Sequence, residues 1–128
     1  MKLEIIIPIF NEESTIEELH NRVSAVCDRL NDFSWRILYV NDGSDDDSLN
    51  LLLEKYRNDP RVCVTDLSRN FGHQSAIAAG LASSEGDAVI LMDGDLQDPP
   101  EVIQDIVKKW VDGAQIVIAE RQIGRAHV

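Results

Sequence analysis

The run Asp93-Gly94-Asp95 sets two carboxylates one residue apart, directly after the apolar stretch Ala88-Val89-Ile90-Leu91-Met92 and just before Leu96-Gln97-Asp98-Pro99-Pro100. Carboxylates at i and i+2 across a glycine can turn toward one hard cation. Mg²⁺ or Mn²⁺ held by few protein oxygens then keeps coordination positions for substrate phosphates. Spacing alone is weak evidence, since 14 Asp among 128 residues yield about one or two such triplets by chance, and Asp45-Asp46-Asp47 is another. Position strengthens it: ligands of open α/β sheets sit outside the carboxyl ends of strands, and Asp93 falls at such an end.

Further polar segments follow strand-like runs. Phe10-Asn11-Glu12-Glu13 opens a helix, where acids complement the helix dipole; Glu13 reads that way, while Asn11 and Glu12 are equally open to a ligand role. Asn41-Asp42-Gly43-Ser44 is either turn chemistry or a carboxylate placed to accept from a base N–H. Ser68-Arg69-Asn70-Phe71-Gly72 is either a plain loop or a source of backbone N–H groups and the Arg69 guanidinium for a diphosphate. Asp45-Asp46-Asp47 reads as a solvated helix cap rather than a second metal site. His73 reads as a helix-start residue, and His20 as lying on an exposed helix face without a partner. No histidine-based nucleophilic mechanism follows from either.

The elements that must position these groups are legible from periodicity. Residues 3–9 are β-branched and almost continuously apolar, as in a strand buried on both faces, with Pro8 at its end. Ser14-Thr15-Ile16-Glu17 fits a capping box, followed at helical spacing by Ile16, Leu19, Val23, Val26, Cys27 and Leu30. Residues 36–40 predict a second strand, and Leu49, Leu52, Leu53 and Tyr56 the buried stripe of a second helix that stops before Pro60. Residues 61–66 predict a third strand and 73–84 a helix whose alanines and Gly80 allow close packing on a sheet. The fourth strand is 87–92. Asp98 then caps a helix with Pro99 and Pro100 in its first turn and Val102, Ile103, Ile106, Val107 and Trp110 facing inward, and 115–119 supplies a fifth strand. Such alternation implies right-handed crossovers and a mainly parallel, doubly wound, Rossmann-like sheet.

Composition sets the outer limits. At 44% hydrophobic and 27% charged, 128 residues suit one domain with one core. A net charge of −11 argues against nucleic-acid binding through a broad surface, so an anionic ligand needs a metal, helix N-termini or a few placed arginines such as Arg69 and Arg121. Cys27 and Cys63 lack metal-type spacing and read as buried thiols of a reducing, cytosolic compartment. The longest apolar stretch, residues 5–10, is interrupted by Pro8 and far short of the roughly 20 residues a membrane helix needs. Signatures of P-loop hydrolases, dinucleotide oxidoreductases and α/β-hydrolases do not occur.

Four ordered motifs, Ile7-Pro8-Ile9-Phe10-Asn11-Glu12-Glu13, Val40-Asn41-Asp42-Gly43-Ser44-Asp45-Asp46, Leu67-Ser68-Arg69-Asn70-Phe71-Gly72-His73 and Met92-Asp93-Gly94-Asp95-Leu96-Gln97-Asp98-Pro99-Pro100, together resemble glycosyltransferase family 2 over residues 3–121. Within it the likeness is to polyprenyl-phosphate glycosyltransferases, the dolichol-phosphate mannose synthase type and its bacterial undecaprenyl-phosphate relatives. The resemblance implies a GT-A nucleotide-diphospho-sugar transferase fold, an inverting reaction, a UDP- or GDP-linked donor, a divalent metal and a lipid-phosphate acceptor. Pro8, Phe10 and Glu12 would line the nucleoside pocket with Asn11 beside them, and Asp42 would contact the base. Asp93 and Asp95, with Gly94 between them, match the metal and diphosphate signature, and Gln97 is a further metal-side ligand. Asp93 and Asp95 would act in catalysis, Asp95 through the metal. Arg121 looks like the family arginine that meets the donor phosphates, although Ala119-Glu120 precedes it where Gly-x is more usual.

The family continues beyond this length, with an acceptor-side half and often membrane helices. Residues 1–121 are therefore expected to be a nucleotide-sugar-binding part, able to bind donor without completing transfer, of a protein working at the cytoplasmic side of a membrane. Residues 122–128 back-translate as a sequence resembling a library adapter, and are expected to be a non-native read-through tail. Competing readings are a receiver-type signalling module, a nucleotidyltransferase and a non-catalytic sugar-nucleotide-binding domain. A receiver wants an acidic pair after the first strand and a Lys after the fifth, and no Lys follows Ala119. A nucleotidyltransferase wants a basic, Gly-rich first loop, and Phe10-Asn11-Glu12-Glu13 has the opposite sign.

Overall fold

The computed structural model describes residues 1–111. Strands and helices alternate along them: β1 (Lys2–Ile9), α1 (Ile16–Asp28), β2 (Ser34–Asn41), α2 (Ser48–Tyr56), β3 (Val62–Asp66), α3 (His73–Ser83), β4 (Ala88–Leu91) and α4 (Val102–Val111). The strands form one parallel four-stranded sheet in the order β3-β2-β1-β4. β1 is thus central, with Ile5 opposite Ile37 of β2 on one side and Ile90 of β4 on the other. The chain winds outward from β1 to β3 and then returns to β1's far edge, so the topological switch lies between the carboxyl ends of β1 and β4. Ligands of open α/β sheets bind in that crevice.

Strand alternation divides the core between two faces. Leu3, Ile5, Ile7 and Ile9 join Trp35, Ile37, Tyr39 and Ile90 in the layer with α1, α2 and α4. Ile6, Leu38 and Val40 meet Ala76 of α3 on the opposite face. Both faces of β1 are therefore covered, which is why its sequence is almost continuously apolar; burying each of its large side chains contributes about 1.5–3 kcal/mol. α3 lies close because it is built from small residues: a Cβ on Gly80 would stand 2.5 Å from Ile6 Cγ2.

Several expectations shift on contact with the structure. Pro8 sits inside β1, opposite Val40, one residue short of its end. No capping box forms at Ser14. α1 begins at Ile16 with Thr15 as its N-cap residue and no side-chain cap hydrogen bond, because the Thr15 hydroxyl is turned elsewhere. Asp98 does not cap α4, which starts at Val102. Val102 and Ile103 first donate to the carbonyls of Pro99 and Pro100, a tighter turn that the two prolines impose before the helix settles. The fifth strand at 115–119, Arg121 and the 122–128 tail lie outside the described residues. Both cysteines are free thiols, Cys27 buried as expected and Cys63 only half-buried.

His20 departs most from its sequence reading. It is 6% exposed, its Nδ1 is 2.6 Å from the Tyr39 hydroxyl, and its ring stacks on Tyr56 with centroids 3.7 Å apart. A single polar residue on a helix gives no sign of its partner when that partner lies on a strand. Burial lowers the His20 pKa, Asp59 pulls it back up and Arg61 pushes it down, while burial raises Tyr39 and keeps it protonated. The neutral imidazole therefore accepts the Tyr39 proton. Because folding favours neutral His20, its contribution to stability is complete above the unfolded value of 6.5 and is lost as pH falls below it. Urea midpoints of the wild type should accordingly drop between pH 7 and 5, and His20→Phe should flatten that slope. The variant should be less stable at pH 7 by about 1–3 kcal/mol, because the buried Tyr39 hydroxyl loses its acceptor.

Candidate functional site

The loops that leave the carboxyl ends of β1, β2 and β4 converge, as expected for one edge of a parallel sheet. Side chains of one loop satisfy the backbone of the next. Asn11, at φ +53°, accepts from the Asp45 and Asp46 amides at 2.8 and 3.3 Å, while its own amide donates to Ser44 Oγ at 3.0 Å. The Glu12 amide donates to Ser48 Oγ at 2.9 Å and the Glu13 amide to Asp46 Oδ2 at 3.2 Å. Against the opposing effect of burial, hydrogen bonds from Ser48 and Glu13 hold the Asp46 carboxyl below its usual range. Within the acidic run 45–47 the Asp46 carboxylate thus ties two loops together, while Asp47 stands at the N-cap of α2 without a side-chain cap hydrogen bond and accepts from Asn50 at 2.9 Å.

Asp42 is buried at 4% exposure, and its two carboxylate oxygens accept from the amides of Phe71 and Gly72 at 2.9 and 3.1 Å. It thereby fixes the loop between β3 and α3. Gly43 permits the approach: its φ is +68°, and a Cβ there would stand 2.3 Å from the Asn70 nitrogen. From the turn after β4, Gly94 reaches back toward β1, where a Cβ would lie 2.8 Å from Ile9 Cδ1 and 2.9 Å from the Pro8 carbonyl oxygen. Leu96 follows at φ +62°, a strained conformation costing of order 1–3 kcal/mol of the kind that concentrates at ligand sites.

These loops enclose a cavity of about 460 Å³ lined by Pro8, Phe10, Glu12 and Asp42 on one side and Asp93, Gly94, Asp95 and Gln97 on the other. Of the residues singled out from sequence, those eight are brought together. Asn11 and Arg69 do not line it. Arg69 lies over the Phe71 ring, 4.7 Å from its centroid, on the wall of a neighbouring cavity that shares Phe10 and Asn70 with the first. His73, read from sequence as a helix-start residue, does begin α3 but also lines the main cavity, with Nε2 3.5 Å from Asp93 Oδ1. Its position directly after Phe71-Gly72 was the available signal, since the Asp42 hydrogen bonds draw that segment to the site.

The cavity is acidic. Burial pushes the Glu12 carboxyl above its usual range, the Thr15 hydroxyl pulls it back, and Asp95, Asp46 and Asp93 push it up again. Among the described residues no three His, Cys, Asp or Glu side chains converge to hold a metal unaided. Asp93 and Asp95 instead bring a pair of carboxylates to the cavity wall, and the Gln97 amide donates to Asp95 Oδ1 at 3.1 Å. That pair fits Mg²⁺ or Mn²⁺, which bind through one or two carboxylates, waters and substrate phosphates rather than in an all-protein cage.

Residues 4–127 match the model of glycosyl transferase family 2, and the chain belongs to that family. Its alternating, parallel Rossmann-like sheet is that of a GT-A nucleotide-sugar transferase. It is 44% identical over 121 residues to the uncharacterized glycosyltransferase YkcC of Bacillus subtilis, covering 94% of this chain and 37% of that protein. It is 40% identical over 121 residues to the bactoprenol glucosyl transferase of Shigella phage SfV, covering 94% and 39%. The chain thus spans well under half the length of these relatives. Among solved structures, S. aureus TarS 1-349 in complex with UDP-GlcNAc superposes with a TM-score of 0.69 at 26% identity, covering 88% of this chain and 31% of TarS. The mannosyltransferase PcManGT of Pyrobaculum calidifontis, in complex with GDP-Man and Mn²⁺, shares the fold at a TM-score of 0.72 and 20% identity, with 87% and 32% covered.

The close approach of Gly94 to β1 makes it sensitive to one added methyl. Gly94→Ala should lower stability by about 1–3 kcal/mol in urea denaturation, as overpacking does. Retention of full stability would mean that the turn is not seated against Pro8 and Ile9.

Proposed function

We propose that this chain forms the donor-binding part of an inverting glycosyltransferase that moves a sugar from a UDP- or GDP-linked donor to a polyprenyl phosphate. The observation that carries the reading is the convergence of Phe10, Glu12, Asp42, Asp93 and Asp95 on one cavity at the switch between β1 and β4. Family membership supports transfer from a nucleotide-sugar, and TarS, crystallised with UDP-GlcNAc, supports such a donor. Kinship with bactoprenol glucosyl transferases supports a lipid-phosphate acceptor and a place at the cytoplasmic side of a membrane. Among the described residues no helix is long and apolar enough to cross one.

In this reading Pro8 and Phe10 give the nucleoside an apolar edge. Asp42 can accept from a base N–H through lone pairs left over from Phe71 and Gly72, since each carboxylate oxygen accepts more than once. Asp93 and Asp95 hold the divalent cation, with Gln97 beside them. When bound between them, the cation would supply positive charge to offset that growing on the departing nucleoside diphosphate. Glu12 adds negative potential that a bound cation would offset, which ties anionic donor binding to the metal. An acceptor phosphate arrives as an anionic oxygen and needs little general-base assistance, so no side chain is assigned that task. Arg121 is proposed to meet the donor phosphates.

Calorimetry with nucleoside diphosphates and UDP- or GDP-sugars, with and without Mn²⁺, tests the assignment. Unit charges about 4 Å apart at an effective dielectric near 20 interact by roughly 4 kcal/mol, so Asp95→Ala should weaken metal-dependent binding by about a thousandfold. Donor binding by the wild type that is as tight in EDTA as in Mn²⁺, or binding in Mn²⁺ that Asp95→Ala leaves unchanged, would count against the proposal.

A further inference from the structure

We infer that the Thr15 hydroxyl is a positioning group for the Asp93–Gly94–Asp95 turn, fixing the donor-side carboxylates relative to Glu12; the inference rests on the donor-site reading above. Thr15 occupies the N-cap of α1, where a threonine ordinarily turns its hydroxyl back onto the first helical amides. Here it makes no such bond. The hydroxyl instead lies 3.1 Å from the Gly94 carbonyl oxygen, across 79 positions of sequence, and 3.2 Å from Glu12 Oε2 and from the Glu12 carbonyl. The local stabilisation of a cap has been exchanged for a contact between two loops of the site.

The acceptors explain why this contact matters. A hydroxyl carries a single proton, and all three neighbours are acceptors, so it bonds Gly94 and Glu12 in alternation or shares its proton between them. Either way it holds a carboxylate and the peptide between Asp93 and Asp95 within one hydrogen-bond length of a common atom. Packing supports the same seat from the other side, since a Cβ on Gly94 would stand only 2.9 Å from the Pro8 carbonyl oxygen and 2.8 Å from Ile9 Cδ1, so the turn sits close to β1. Leu96 at φ +62° carries strain next door, which the turn could release by lifting away were it not tied down. Partners of this kind, which orient ligating groups without touching the metal, typically govern its affinity.

The test uses Thr15→Val, which keeps the shape and removes the proton, Thr15→Ala, which removes the hydroxyl without demanding room, and Thr15→Ser, which restores it. Mn²⁺-dependent binding of a nucleoside diphosphate, read by calorimetry and by the paramagnetic resonance of Mn²⁺, should weaken about ten- to hundredfold in the Val and Ala variants and return in Ser. Binding of the nucleoside alone in EDTA should stay unchanged in all of them, whereas general loosening of the fold would lower it too. Wild-type metal affinity in both Val and Ala, or a Ser variant as weak as Val, overturns the inference. If the wild type takes up neither Mn²⁺ nor nucleoside diphosphate, the donor-site reading fails by itself. The positioning role is then decided by hydrogen exchange at the amides of residues 94–97, which must quicken severalfold in Val and Ala but not in Ser.

Discussion

Everything in this fold is referred to β1. Its residues from Leu3 to Ile9 are buried on both faces and flanked by strands on both edges, so β1 cannot slip by one residue without turning its apolar set onto the wrong layer. That fixed strand determines where the chain emerges, and Phe10, exposed immediately beyond Ile9, marks the change from core to site. The neighbouring strands inherit this register. Ile9 is paired with Asn41, and Asn41 with Asp66, so the loops after β1, β2 and β3 begin at one level. β4 stops lower, at Leu91 opposite Ile6, and its continuation must climb past the end of β1. The Asp-Gly-Asp turn is formed on that climb, and the need to pass Pro8 and Ile9 closely explains why its middle residue is a glycine.

Much of this was legible in sequence because the signals were periodic or bulky. The β1 run, the α1 stripe and the small residues of α3 each describe burial, and burial is what the sheet enforces. The positions of Asp93 and Asp95 were legible for the same reason, since they directly follow an apolar strand. Single polar residues whose partners lie far along the chain were not legible. Ser14 to Glu17 has the spacing of a capping box, yet the Thr15 hydroxyl found Gly94 and Glu12. His20 looked unpartnered because Tyr39 and Tyr56 lie on other elements. The sequence leaves residues 68–72 open between a plain loop and a diphosphate contact through Arg69, and the structure sets Arg69 over Phe71 beside the neighbouring cavity. Motif spacing locates a loop well, but which wall a side chain faces depends on how that loop is tied to the next.

The ties themselves account for the polar residues that a core would not require. Asn11, Asp42, Ser44, Asp46 and Ser48 each satisfy backbone amides or side chains of another loop, and few of those amides could find partners within their own segment. Buried or half-buried backbone groups left unpaired are costly, so the network is first a solution to folding an irregular sheet edge. It also makes the edge rigid, because displacing one loop breaks hydrogen bonds in its neighbours. A site that must hold a flexible, charged ligand in one orientation gains from this arrangement at little additional cost.

Electrostatics then explains why such a rigid edge would be acidic in a protein proposed to bind a nucleoside diphosphate. Asp93, Asp95 and Glu12 lie near enough for their repulsion to be felt in the Glu12 carboxyl, and a chain of net charge −11 offers no compensating field. Left alone, this arrangement repels an anion. A divalent cation bound there would reverse the sign of the local potential, and the carboxylates that oppose the ligand would then make its binding depend on the metal. The cost of gathering like charges in the empty state is met by the hydrophobic layers around β1, which keep the loops together whether or not anything is bound. The selectivity of the site for a metal-bound diphosphate over a free one would then reside in repulsion built into the fold, with the cation as the element that reverses it.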